Sequence, residues 1–140
     1  MSRIARRLLP ALLLCQLFAA AAADGPPAVG AGPGSWHGRI GNLWLRLPGR
    51  ETASSALQPP TLAHGRRLAQ VRWSFSLPPT APVQAWLCHP SRCLELKQPR
   101  GSSGVLAGLD AGQPLQLRFR LAPGAEPLQV RQIELIAEYR

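Results

Sequence analysis

The residues able to do chemistry are few, and their spacing limits what they can do. Cys88 and Cys93 flank His89-Pro90-Ser91-Arg92 in a Cys-x4-Cys segment. Cys88, His89 and Cys93 together raise the question of a metal site. A structural zinc needs four Cys or His ligands at recognisable spacing, and His37 and His64 fall in unrelated stretches. A thioredoxin-type redox centre uses Cys-x-x-Cys at a helix start, which is a shorter spacing in a different context. The acids after the N-terminal stretch are Asp24, Glu51, Glu95, Asp110, Glu126, Glu134 and Glu138, and no motif groups any two of them. Ser54, Ser55, Ser102 and Ser103 belong to flexible stretches rather than to a triad. Nucleophile-elbow, Walker-loop and His-Glu-x-x-His signatures are missing from the sequence. No catalytic residue, metal or cofactor is therefore expected, and an enzyme would need an unrecognised site.

Tryptophan and arginine offer binding chemistry instead. Trp73 shares the parity of Val71 and Phe75 and is expected in the core. Trp86 has the opposite parity to Val83, Ala85 and Leu87, so it either covers a neighbouring disulfide or faces a partner. Trp36 and Trp44 lie in a first strand region whose faces the sequence does not resolve. Arg118 and Arg120 alternate with Leu117, Phe119 and Leu121 and point outward. Exposed Trp beside Arg is a common interface composition, so Trp86, Trp36, Trp44, Arg118 and Arg120 are the candidate partner-binding residues. A platform for stacking sugars would share this composition. A periplasmic module binding envelope glycan is thus the alternative to a protein-binding role.

The start of the chain sets the compartment. Arg3, Arg6 and Arg7 precede an apolar run, Leu8 to Ala23, ending in Ala21-Ala22-Ala23. This is the pattern of a secretory signal peptide, with cleavage expected after Ala23. The run contains Pro10 and Gln16 and falls short of the ~20 apolar residues of a spanning helix. No later segment approaches that length. Leu14 precedes Cys15 where lipoprotein processing needs a small residue, so Cys15 leaves with the signal. Cys88 and Cys93 then form an even pair in an oxidising compartment, which reads as a disulfide. The 140-residue chain carries a formal charge of +9. Its arginines are scattered, only Arg66 and Arg67 being adjacent after the signal, and Lys97 is the sole lysine. Export and the lack of a basic stripe argue against nucleic acid as partner. A basic surface could still meet anionic membrane or polysaccharide.

Residues 24–35 form a Gly/Pro-rich leader, expected to be flexible. The domain is expected over 36–140. Trp36 to Leu47 reads as a strand interrupted at Gly38 and Gly41 and ended by Pro48-Gly49. A long loop follows to Arg67, with an edge strand around Thr61-Leu62. Leu68 to Leu77 alternates with period two and reads as a half-buried antiparallel strand. Val83 to His89 and Cys93 to Gln98 make a hairpin around a four-residue loop, with the cysteines across its mouth. Gly101 to Gly104 reads as a turn. Val105, Leu106 and Leu109 form a short strand or rest on the core. Leu115 to Leu121 is a second strong strand. In the last strand, Leu128 to Tyr139, apolar parity switches near Arg131-Gln132, which predicts a bulge. No window carries a helical period. The expected fold is all-β: a single antiparallel β-sandwich of short strands with one disulfide inside a hairpin.

Several of these pieces, in order, resemble the flagellar protein FlhE family. They are the signal peptide, Gly34-Ser35-Trp36, Val71-Arg72-Trp73-Ser74-Phe75, the segment Leu87-Cys88-His89-Pro90-Ser91-Arg92-Cys93-Leu94-Glu95-Leu96, and the terminal strand from Val130 to Arg140. The cysteine segment is the most specific. The resemblance implies a periplasmic accessory protein of flagellar assembly, acting by protein binding. It implies association with limiting proton leak through the export apparatus, or a chaperone-like role toward rod components. The implied partner is a flagellar export-gate, rod or basal-body protein. The family supplies no catalytic residue to carry over. It supplies the expected disulfide between Cys88 and Cys93.

Overall fold

The computed structural model describes residues 33–140. The signal peptide, Cys15 and most of the leader lie outside the described residues. The order of elements is β1 (Gly34–Leu45), β2 (Glu51–Ala53), a 3-10 turn (Thr61–Ala63), β3 (Leu68–Ser76), β4 (Val83–His89), β5 (Arg92–Leu96), β6 (Arg100–Ser103), β7 (Gln116–Leu121) and β8 (Leu128–Tyr139). Among the described residues these strands make two four-stranded sheets. The first runs β1-β8-β3-β6 and the second β2-β7-β4-β5. Every pairing is antiparallel.

Alternation explains why the sheets stack. Each strand turns every second side chain to one face. Val71, Trp73 and Phe75 of β3 and Val130, Ile133, Leu135 and Ala137 of β8 bury their side chains from the first sheet. Ala85 and Leu87 of β4 and Leu117, Phe119 and Leu121 of β7 meet them from the second. Phe75 and Phe119 cross between the sheets edge to face, with centroids 5.3 Å apart and an interplanar angle of 88°, a favoured geometry for aromatic quadrupoles.

The expected bulge is present. Val130 and Ile133 are both fully buried although an even spacing would set them on opposite faces. The intervening turn of the backbone is taken at Gln132, whose φ is 52°. Ser74 pairs with Glu134 and Ser76 with Arg131, so the register slips there. On the other side of β8 the register of β1 shifts around Gly41, at φ 81°. Asn42 Oδ1 accepts the Gln132 N–H at 3.2 Å, tying the two irregularities together.

Four expectations need correction. The edge strand after β1 is Glu51–Ala53, not Thr61-Leu62. Pro59 and Pro60 have no N–H for a ladder. Instead the Pro60 carbonyl accepts from Ala63 N–H at 2.9 Å and starts a 3-10 turn that buries Ala63. Residues 101–104 are not a turn: Arg100–Ser103 is β6, paired with β3. Gly101 lies opposite Trp73, and a Cβ there would stand 2.6 Å from Trp73 Cζ2. The glycine that suggested a turn is required because an indole lies over the backbone. The hairpin loop is two residues, Pro90-Ser91, because His89 pairs with Arg92. Finally β1 begins at Gly34, two residues before Trp36, since Gly34 and Ser35 pair with Tyr139 and Glu138. Val105 and Leu106 belong to a turn that buries Leu106 and leaves Val105 half exposed.

Truncating Phe119 to Ala is expected to lower stability by about 3–5 kcal/mol, because it opens a cavity between the sheets. Truncating Ile136, on the outer face, is expected to change it by less than about 0.5 kcal/mol. Equilibrium urea unfolding of the two variants checks the contrast.

Candidate functional site

The outer face of the second sheet brings most of the candidate residues together. Ala53, Arg118, Trp86 and Glu95 form one cross-strand row through β2, β7, β4 and β5. Glu51, Arg120 and Gln84 form the next row, and Gln116, Cys88 and Cys93 the one on the other side. Trp86 therefore stands at the centre of a small platform. The Arg120 guanidinium lies over its ring, 5.7 Å from the centroid, a cation–π arrangement. Glu51 reaches both arginines, Oε1 at 3.4 Å from Arg118 Nη1 and Oε2 at 3.9 Å from Arg120 Nη2. Gln116 Oε1 accepts from Arg118 Nε at 3.3 Å. Lys97 and Glu95 pair at 2.9 Å on the edge strand. The indole is half-buried, and Glu51 offsets part of the charge of the two arginines, so this surface offers stacking and hydrogen bonds with only a modest field.

The disulfide closes one side of the platform. Cys88 and Cys93 are directly opposed, with Cα atoms 4.0 Å apart. Cys88 is buried and Cys93 exposed. Beside the bond lies an open depression of about 400 Å3, walled by His89, Arg92, Gln116 and Arg118 among others. His89 anchors the hairpin from beneath and is 5% exposed. Its Nδ1 accepts the Ser91 N–H at 3.1 Å, so the ring proton sits on Nε2, which donates to the Asp110 carbonyl at 2.9 Å. His89 is thus a structural link from the hairpin to the loop at Asp110. Among the described residues no group of three or more His, Cys, Asp or Glu side chains could hold a metal ion.

Asp110 organises that loop. Its Oδ1 accepts the Gly112 N–H at 2.8 Å. This backbone hydrogen bond, with smaller help from Gln113 and Arg67 and against some desolvation, holds its carboxyl below the usual aspartate range.

The remaining candidates fall elsewhere. Trp36 is a correction: its side chain faces the core at 9% exposure, on the parity shared with Gly38, and its Nε1 is buried without an acceptor. It is not available to a partner. Trp44 is 48% exposed, but on β1 of the first sheet. Glu51 joins the platform although the sequence suggests only a loop carboxylate. Glu51–Ala53 is too short a strand to leave a readable alternation.

Ser54 ends β2 by a buried knot. Its hydroxyl accepts from Leu117 N–H and donates to the Ser55 carbonyl, while its own carbonyl accepts from Gln116 Nε2 at 2.8 Å. The platform is thereby fixed where β2 meets β7.

Comparison with known proteins gives a consistent picture. A family model described as "Flagellar protein FlhE" matches residues 42–140. The chain is 30% identical over 115 residues to the flagellar protein FlhE of Escherichia coli (strain K12), covering 79% of this chain and 88% of that one. It is 32% identical over 114 residues to the Yersinia enterocolitica protein of the same name, covering 76% and 81%. A solved structure titled "Crystal Structure of FLHE" superposes with a TM-score of 0.68 at 28% identity, over 79% of this chain and 99% of that one.

Opening the Cys88–Cys93 bond by Ser substitution is expected to cost about 2 kcal/mol, because the closed loop is short. Equilibrium unfolding with a parallel thiol assay measures this. For Asp110, a depressed folded-state pKa means that its contribution is full above the unfolded carboxylate pKa of about 3.9 and disappears as pH falls through the lower folded value. The stability gap between the native chain and Asp110→Ala is therefore expected to be constant from neutral to weakly acidic pH and to shrink below about pH 4, as read from denaturant midpoints across pH.

Proposed function

Since the chain belongs to the FlhE family of flagellar proteins, we propose that it works on the periplasmic side of the flagellum as an accessory of assembly and export, by binding a protein rather than by catalysis. The match of the family model to residues 42–140, with a fold-level likeness over 79% of the chain, carries this reading. The chemistry of the surface supports it. A tryptophan clamped by an arginine and backed by a disulfide is a rigid anchor, and such residues dominate interface energetics because they lose little conformational freedom on binding. The candidate residues supply no nucleophile with an adjacent base. The N-terminal signal pattern supports the periplasm as the compartment.

The partner is a component of the export gate, rod or basal body. Two actions suit a rigid sandwich there. It limits proton leak by seating on the export apparatus, or it shields a rod subunit before assembly. Both need a pre-formed face more than a moving one, and the Trp86 platform has that character.

Deletion of the coding sequence is expected to impair motility or raise export-dependent proton leak, and the intact protein to restore both. Trp86→Ala is expected to fold and be exported yet to lose partner affinity by on the order of 2 kcal/mol, as for an interface hot spot. Cross-linking from position 86 in living cells should capture a flagellar component. Cytoplasmic pH during active export and periplasmic rod-subunit levels separate the two actions. A deletion that leaves motility, assembly and proton leak unchanged would falsify the reading.

A further inference from the structure

One end of the sandwich differs in character from the rest of the surface. Three connections meet there: residues 46–50 after β1, 77–82 after β3, and 122–127 after β7. They carry exposed Leu47, Pro78, Pro79, Pro82, Pro123 and Pro127. Trp44 stands beside them, 48% exposed, over a groove shared with Leu77, Pro78, Pro127 and Leu128. Leu47 is 58% exposed where its turn begins.

Several backbone groups of this end are paired with one another. Arg50 N–H donates to the Leu47 carbonyl at 3.2 Å across Pro48-Gly49, with Gly49 at φ 76°, a type II turn. Gly49 N–H donates to Leu121 at 2.7 Å, Ala81 to Pro78 at 3.2 Å, Ala122 to Pro82 at 2.9 Å and Ala125 to Ala122 at 3.2 Å. These bonds knit the three connections into one pre-formed cap. The prolines have no N–H to leave unpaired. They lower the number of donors that burial in a poorly hydrogen-bonding medium would strand.

The charges at this end point the same way. Arg46, Arg50 and Arg131 surround the apolar residues, and Arg46 stacks on Trp44 at 5.8 Å. Glu126 is the acid these loops carry. Glu51, beside Arg50, is turned to Arg118 and Arg120. An indole at the level of lipid headgroups, a leucine below it and arginines around them match the layering of a bilayer surface.

We propose that this end of the sandwich docks on an anionic phospholipid bilayer, Trp44 and Leu47 entering the interface and Arg46, Arg50 and Arg131 meeting lipid phosphates. The assignment is independent of the flagellar reading: it would hold the protein at the membrane with the Trp86 platform free on the side of the molecule.

The test uses the purified exported chain and vesicles of phosphatidylethanolamine and phosphatidylglycerol in a ratio of about 3:1, against vesicles of phosphatidylcholine alone. Co-flotation is expected to favour the anionic vesicles by about tenfold or more, and to weaken with salt. Brominated acyl chains should quench tryptophan emission, and Trp44→Phe should remove that quenching. The pair Trp44→Ala with Leu47→Ser should lower partitioning by about tenfold, while Leu62→Ser, an exposed apolar residue at the opposite end, should not change it. Circular dichroism verifies that each variant folds. Failure to associate with anionic vesicles overturns the proposal. So does association that the Trp44/Leu47 pair leaves unchanged, which would mean adsorption of a basic protein in any orientation. A cap that binds a protein while ignoring both vesicle types overturns it as well.

Discussion

The structure depends on one interface, the contact between the apolar faces of two small sheets, centred on Phe75 against Phe119. Among the described residues neither sheet has a second apolar face or a helix to cover it, so each is supported by the other. This demand sets the placement of the irregularities. Strand β8 is long, and a straight course would carry Val130 and Ile133 to opposite faces. The bend at Gln132 keeps both inside, and Gly41 on the neighbouring strand supplies the matching deviation. The bulge thus maintains burial over a length that regular twist would not allow.

The same inward demand made much of the fold legible in the sequence. Val71-Arg72-Trp73-Ser74-Phe75 and Leu115 to Leu121 alternate without interruption, and both are strands with the expected faces. The parity switch before Ile133 announced the bulge. Legibility failed where the determining contact is distant in sequence. Gly101 is indistinguishable from a turn glycine until Trp73 is seen above it. Glu51–Ala53 is three residues long, too short for a period, and is a strand because β7 offers it an edge. Thr61-Leu62 has strand-forming residues, but the prolines before it favour a 3-10 turn.

The candidate site shows the same division. Outward parity placed Trp86, Arg118 and Arg120 on a surface, and the sheet register brings them into contact. Alternation could not resolve Trp36, because Gly38 and Gly41 hide the phase of β1. It is a core residue, packed where a Cβ at Gly38 would come within 3.1 Å of its ring. The platform also owes its rigidity to residues whose role is invisible locally. His89 and Ser54 fix its borders through hydrogen bonds to segments twenty or more residues away.

Charge divides the molecule in a way that composition alone conceals. On the sheet faces the basic residues largely have acidic partners: Arg39 and His37 share Glu134, Arg72 pairs with Glu138, Lys97 with Glu95, and Glu51 spans Arg118 and Arg120. Such exposed pairs add little stability individually, but they leave the faces close to neutral. Positive charge also stands at the ends, in Arg46, Arg50 and Arg131 at one and Arg92 and Arg140 at the other. In the proposed docking, one basic end would meet the negative surface and the faces would point sideways. A neutral face is also the better place for a specific protein contact, since it neither repels a basic partner nor adsorbs every acidic one. On the proposed reading, orientation and recognition would fall to different parts of one rigid scaffold, and neither would require the scaffold to move.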